Sequence, residues 1–141
     1  MNATDYDLLD SQLRALLADE PDALAATGNF VALLFKALAD VSWLGVYVLR
    51  NGELVLGPFQ GKPACVHIAL DEGVCGAAAS TLQTQRVADV HAFPGHIVCD
   101  PDSRSELVVP LVVHDTLIGV LDIDSPVTGR FRDVDQSGVC L

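Results

Sequence analysis

Trp43-Leu44-Gly45-Val46-Tyr47-Val48-Leu49-Arg50-Asn51-Gly52-Glu53-Leu54-Val55-Leu56-Gly57-Pro58-Phe59 decides the fold. Two runs rich in β-branched, aliphatic and aromatic residues flank Asn51-Gly52. A two-residue type I′ turn needs positive φ at both central positions, and Asn-Gly meets that need best. The stretch therefore predicts a hairpin. A second hairpin is expected from Leu107–Val113 and Leu117–Asp124 around His114-Asp115-Thr116. Val66–Leu70 and Val87–Val90 read as short strands. Upstream, Leu8, Leu9, Leu13, Leu16 and Leu17 recur with helical spacing and predict a helix from about Thr4 to Ala18. Pro21-Asp22 restarts the chain into a second helix, lined by Phe30, Leu33, Leu34, Ala37 and Leu38, ending near Asp40. Gly73 opens a third that runs to about Thr84, and Asp133 begins a last one. These elements predict an α+β fold. The central sheet has six mostly antiparallel strands, with helices on one face and the irregular 91–106 segment on the other.

The chain has 141 residues, half of them hydrophobic, with a mean hydropathy of +0.38. That is one domain's length with enough apolar surface for a substantial core. Nineteen acidic against eight basic residues leave a net charge of −11. Such a field repels phosphate backbones and anionic lipid, which argues against nucleic acid and membrane surfaces as partners. Met1–Asp7 has no basic region and no long apolar run, which argues against a secretory signal. No apolar stretch reaches the ~20 residues needed to span a bilayer. The expected location is the cytoplasm, where structural disulfides are rare. Four cysteines there are reduced, catalytic, metal-binding or buried.

Gly95-His96-Ile97-Val98-Cys99-Asp100-Pro101-Asp102-Ser103-Arg104-Ser105-Glu106 concentrates a thiol, carboxylates, a histidine and an arginine on irregular backbone. Cys65 and Cys75 lie upstream around another glycine-punctuated turn; Cys140, next to the end, is incidental. There is no CxxC pair, and His67, His91 and His96 add no spacing that matches a metal template, so no metal is expected. Buried core cysteines and redox thiols both remain open. Cys75 follows Gly73 at a helix start, where exposed N–H groups favour thiolate. Cys99 sits in a loop, where it meets ligand. Electrostatics therefore favours Cys75, and placement favours Cys99.

Asp122 and Asp124 are one residue apart on a strand and share a face, with Leu121 and Ile123 on the other. Two buried acids need a cation or hydrogen bonds, and a ligand amine serves; the alternative is a strand end emerging into solvent. Glu106 opens the preceding strand and can lie beside them. Trp43 and Tyr47 share a face of the first strand, as core packing or as a pocket wall.

Four runs resemble the free methionine-(R)-sulfoxide reductases, which are stand-alone GAF domains. They are Gly57-Pro58-Phe59-Gln60-Gly61-Lys62-Pro63-Ala64-Cys65, Gly73-Val74-Cys75-Gly76, His96-Ile97-Val98-Cys99-Asp100 with Ser105-Glu106, and Leu121-Asp122-Ile123-Asp124-Ser125. The resemblance runs from the N-terminal helices to about Phe131. It implies a single GAF domain over 1–141 that reduces free L-methionine (R)-sulfoxide. Cys99 then matches the attacking thiol, Cys65 the resolving one and Cys75 an auxiliary one. Trp43 and Tyr47 match the pocket for the methyl-sulfoxide end, and Glu106, Asp122 and Asp124 its acidic lining. Glu106 is the candidate acid; the two aspartates are the candidate ammonium site. The resemblance implies no bound cofactor, an external reductant such as thioredoxin, and room for a homodimer. Two departures stand out. Family members carry Trp-x-Gly-Phe-Tyr where this chain has Val46, a residue expected to face away from the pocket. They also continue into a full C-terminal helix, cut short here at Leu141. The rival class is a GAF module that binds a small molecule and does no chemistry; a triple-thiol pattern and an acidic pocket argue against it.

Overall fold

Asn51 and Gly52 adopt φ of +53° and +79°, as a type I′ turn requires. In the computed structural model, which describes residues 4–96 and 99–139, the turn joins β1 (Trp43–Arg50) to β2 (Glu53–Gln60). Ile97, Val98 and Cys140 lie outside the described residues. The other strands are β3 (His67–Ala69), β4 (Gln85–Val87), β5 (Ser105–Val113) and β6 (Thr116–Ser125). They form one six-stranded sheet in the order β3-β2-β1-β6-β5-β4, and every pairing is antiparallel. The second hairpin turns through His114 and Asp115, at φ +50° and +62°, so β6 begins at Thr116.

Helix α1 (Tyr6–Leu17) is capped by Asp5, whose side chain accepts from the Leu8 N–H. Helix α2 (Ala23–Ala37) is capped in the same way by Asp22 and the Ala25 N–H. Strand alternation divides the sheet into two faces. Leu44 and Val46 of β1, Leu107 and Val109 of β5, and Leu121 and Ile123 of β6 point to one. There they meet Leu9 of α1, Val31 and Leu34 of α2, Leu38 and Phe131. Val46 thus faces away from the pocket, as expected. Helix α4 (Asp133–Val139) closes this layer. Its buried Asp135 accepts from Tyr6 Oη at 2.6 Å and pairs with Arg130 at 3.1 Å.

Helix α3 (Gly73–Thr81) differs from the one-sided helical layer expected. It lies on the opposite face, where Val74, Cys75, Ala78 and Ala79 pack on Trp43, Tyr47, Val108 and Val120. The reason is its composition: small side chains let it sit close to a face that also carries acids. It ends at Thr81, earlier than expected, because Leu82 turns left-handed at φ +56°. The strand expected at Val87–Val90 is instead β4, ending at Val87, followed by a single 3₁₀ turn at Val90–Ala92. Asp89 caps that turn by accepting from the His91 N–H.

Candidate active site

Cross-strand register assembles the acids. Glu106 of β5 stands opposite Asp124 of β6, and Asp124 stands opposite Trp43 of β1. One pair along, Asp122 lies between Val108 and Gly45. Directly paired residues point to the same face, so Glu106, Asp122, Asp124 and Trp43 share the face that α3 covers. Trp43 and Tyr47 need space on that face, and Gly45 between them provides it. A Cβ at Gly45 would lie 2.5 Å from both Phe59 Cβ and Trp43 Cη2. The Trp43 ring stacks between those of Tyr47 and Phe59, with centroids 5.9 and 5.3 Å away.

Both aromatic residues also fasten the segment that carries Cys65. Trp43 Nε1 donates to Lys62 O at 2.9 Å, and Tyr47 Oη donates to Cys65 O at 3.0 Å. Across the cavity, Cys99 arrives on the irregular segment between the 3₁₀ turn and β5. That segment is tied at its end by the Arg104 N–H to Ser125 O and the Val90 N–H to Arg104 O, each 2.8 Å. Cys65 and Cys99 are joined in a disulfide with Cα atoms 5.6 Å apart, although 34 residues separate them in sequence. Lys62 and Asp102 form an exposed ion pair at 2.8 Å beside it. The two thiol-bearing segments therefore meet over the carboxylates.

Beneath them the acids are almost wholly buried: Glu106 is 7% exposed, Asp122 6% and Asp124 9%. Burial pushes the Glu106 carboxyl well above the usual range, and the charges of Asp122 and Asp124 push it further. Asp124 is raised by burial and by Asp122. Asp122 is raised by burial, in part offset by hydrogen bonds with Glu106, Cys75 and Asp124. Among the described residues two buried polar side-chain atoms have no hydrogen-bond partner, Asp122 Oδ1 and Ser103 Oγ. Both belong to residues lining this cavity. Two basic side chains, Lys62 and His96, also line the cavity. Lys62 is engaged by Asp102, and burial together with the charge of His91 lowers the pKa of His96, with the charge of Asp122 acting the other way.

Cys75 sits in the first turn of α3, 4% exposed and outside any disulfide. The helix-start argument for a reactive thiolate there fails. Burial raises this thiol well above its ordinary value, and Asp122, Glu106 and Asp124 raise it further. A few N–H dipoles do not offset full desolvation beside three acids. Among the described residues, the side chains grouped so that they could hold a metal are Cys75, Glu106 and Asp122, whose ligand atoms lie within 4.8 Å of one another. Of the three histidines weighed from spacing, His67 pairs with Glu53 at 2.8 Å on the surface and His91 contacts Arg104, whereas His96 lines the cavity with Cys75 and Cys99. Ser103 is a cavity residue that sequence reasoning missed, and nothing in the sequence distinguishes it from Ser105, whose hydroxyl is used by Val127 O.

Comparison with known proteins agrees with this geometry. The GAF domain family model matches residues 14–139. The free methionine-R-sulfoxide reductase of Escherichia coli (strain K12) is 53% identical over 140 residues, covering 99% of this chain and 85% of that protein. The structure of Staphylococcus aureus fRMsr in complex with substrate superposes with a TM-score of 0.94 at 51% identity, covering 99% of this chain and 91% of that one. The free methionine-R-sulfoxide reductase of Neisseria meningitidis in complex with its substrate gives 0.93 at 40% identity, covering 99% and 86%. A disulfide poised over buried acids on a GAF sheet, with identity of this extent, places the chain in the free methionine-R-sulfoxide reductase family of GAF-domain proteins.

Proposed function

We propose that this protein reduces free L-methionine (R)-sulfoxide to methionine, with Cys99 as attacking thiol and Cys65 as resolving thiol. The observation that carries the reading is the pairing of Cys65 with Cys99, a residue that lines the same cavity as the buried acids Glu106, Asp122 and Asp124. The Cys99 thiolate attacks the sulfoxide sulfur, and Glu106, held protonated by burial, donates a proton to the sulfoxide oxygen. The sulfoxide gains two electrons and leaves as methionine, while Cys99 becomes a sulfenic acid. The Cys65 thiol condenses with it, water departs, and the disulfide forms. An external dithiol such as thioredoxin restores both thiols, and no bound cofactor is required.

Asp122 and Asp124 take the substrate's ammonium, which supplies the missing partner of Asp122 Oδ1. Trp43 and Tyr47 wall the methyl-sulfoxide end. Cys75 stays a reserve thiol. A residue within a polypeptide has an amide in place of the ammonium and leaves the acids unpaired, so the free amino acid is preferred. No described helix is long and apolar enough to cross a membrane; we place the enzyme in the reducing cytoplasm, as one GAF domain. The test is NADPH consumption with thioredoxin and thioredoxin reductase: the free R epimer should drive it, and the S epimer should not. Equal use of both epimers, or of neither, contradicts the assignment.

A further inference from the structure

Cys75 and the acids beside it form a donor set in their own right. One ligand atom each from Cys75, Glu106 and Asp122 lie within 4.8 Å of one another, and all three side chains are buried. Asp122 Oδ1 is buried without a partner, and all three residues line the cavity. We propose that these three side chains bind a thiophilic divalent cation of the Zn²⁺ type, which takes the place of the substrate's ammonium and so competes with it.

The donor chemistry selects the ion. Zn²⁺ takes sulfur at about 2.3 Å and carboxylate oxygen at about 2.0–2.2 Å in tetrahedral geometry. The present spacing is within a small side-chain adjustment of that arrangement. Asp124 lies in hydrogen-bond contact with Glu106 and Asp122 but outside the three-residue donor set, which leaves the fourth position to water. Mg²⁺ and Ca²⁺ require about six or more oxygen donors and make poor use of sulfur. On binding, the ion exchanges coordinated waters for the protein's sulfur and oxygen ligands, the Cys75 S–H and the protonated carboxyls among them release their protons to solvent, and no electron moves. Cys75 stays outside the Cys65–Cys99 disulfide, so the oxidised protein keeps its sulfur ligand. Binding of the ion stands on this geometry alone; its competition with substrate rests on the proposed ammonium site.

The test is Co²⁺ spectroscopy on the disulfide form of Cys140→Ser, where Cys75 is the one remaining thiol. A saturable thiolate-to-cobalt charge-transfer band is expected, displaced by Zn²⁺ and indifferent to Mg²⁺. Cys75→Ser should abolish it. Asp122→Asn, with its fold checked by circular dichroism, should weaken binding by roughly tenfold or more, the scale on which even outer partners of a metal count. In a Cys65→Ser/Cys99→Ser/Cys140→Ser protein, which cannot turn over, free methionine (R)-sulfoxide should raise the Co²⁺ midpoint. No band, or a band that survives Cys75→Ser, overturns the metal site. A band untouched by methionine sulfoxide overturns the shared position. Intact Co²⁺ binding in a protein that never reduces methionine sulfoxide overturns the proposed function and leaves the metal site standing.

Discussion

Glu106 and Asp124 are direct cross-strand partners, so two carboxylates occupy one buried position on β5 and β6. Like charges placed so destabilise a sheet. Burial and mutual repulsion raise both carboxyls well above their ordinary range. The folded protein therefore holds protons that the unfolded chain has released, and stability falls as pH rises past the ordinary carboxylate range. Glu106→Gln should unfold at higher denaturant than wild type at about pH 8, by on the order of 1–3 kcal/mol. The gap should close toward about pH 4, where the unfolded carboxyl also holds its proton. Denaturant titrations of both disulfide forms measure this. A Glu106→Gln protein less stable than wild type at both pH values would mean the acids hold the fold together.

The three thiols should separate by role. Cys99→Ser should release no methionine. Cys65→Ser should release one methionine per protein and stop with a sulfenic acid on Cys99. Cys75→Ser should keep that first turnover, because burial and acid neighbours hold its thiol protonated. Quenched-flow quantitation of methionine decides it. A first turnover lost in Cys75→Ser and kept in Cys99→Ser exchanges the two assignments.

Both hairpins were legible because Asn51-Gly52 and the alternation of Leu121-Asp122-Ile123-Asp124 carry period and turn chemistry in adjacent residues. The acids' common face follows from the same period of two. The side of the sheet that α3 takes was not legible. Gly76, Ala77, Ala78 and Ala79 give it little contrast between faces, so only packing decides. The protonation of Cys75 was missed for a related reason: the helix start is a local feature, whereas its three acid neighbours come from β5 and β6. Cys65 and Cys99 were paired through family likeness; spacing alone does not specify a bridge across 34 residues.

Gly45→Ala should spoil the pocket wall while every acid and thiol stays in the sequence. The added methyl meets the Trp43 ring and Phe59 Cβ at 2.5 Å, so one of the stacked rings must move. Overpacking of this kind costs about 1–3 kcal/mol. Trp43 is the chain's single tryptophan, so its emission reports the displacement directly. A red shift and a raised KM for methionine sulfoxide are expected. Unchanged emission and KM would show that the ring stack is not part of the substrate wall.

Recognition of the free amino acid by the buried aspartates is the central claim, and one comparison tests it: kcat/KM for free and N-acetylated methionine (R)-sulfoxide on wild type and Asp124→Asn. Acetylation deletes the cation, and the asparagine removes a carboxyl that can give up its proton to meet it. A hydrogen bond to a charged group is worth about 1.5–3 kcal/mol, so wild type should prefer the free amino acid by roughly 10- to 150-fold. Asp124→Asn should lose most of that preference while its Cys99 alkylates at the wild-type rate. Equal use of both substrates by wild type would contradict the account.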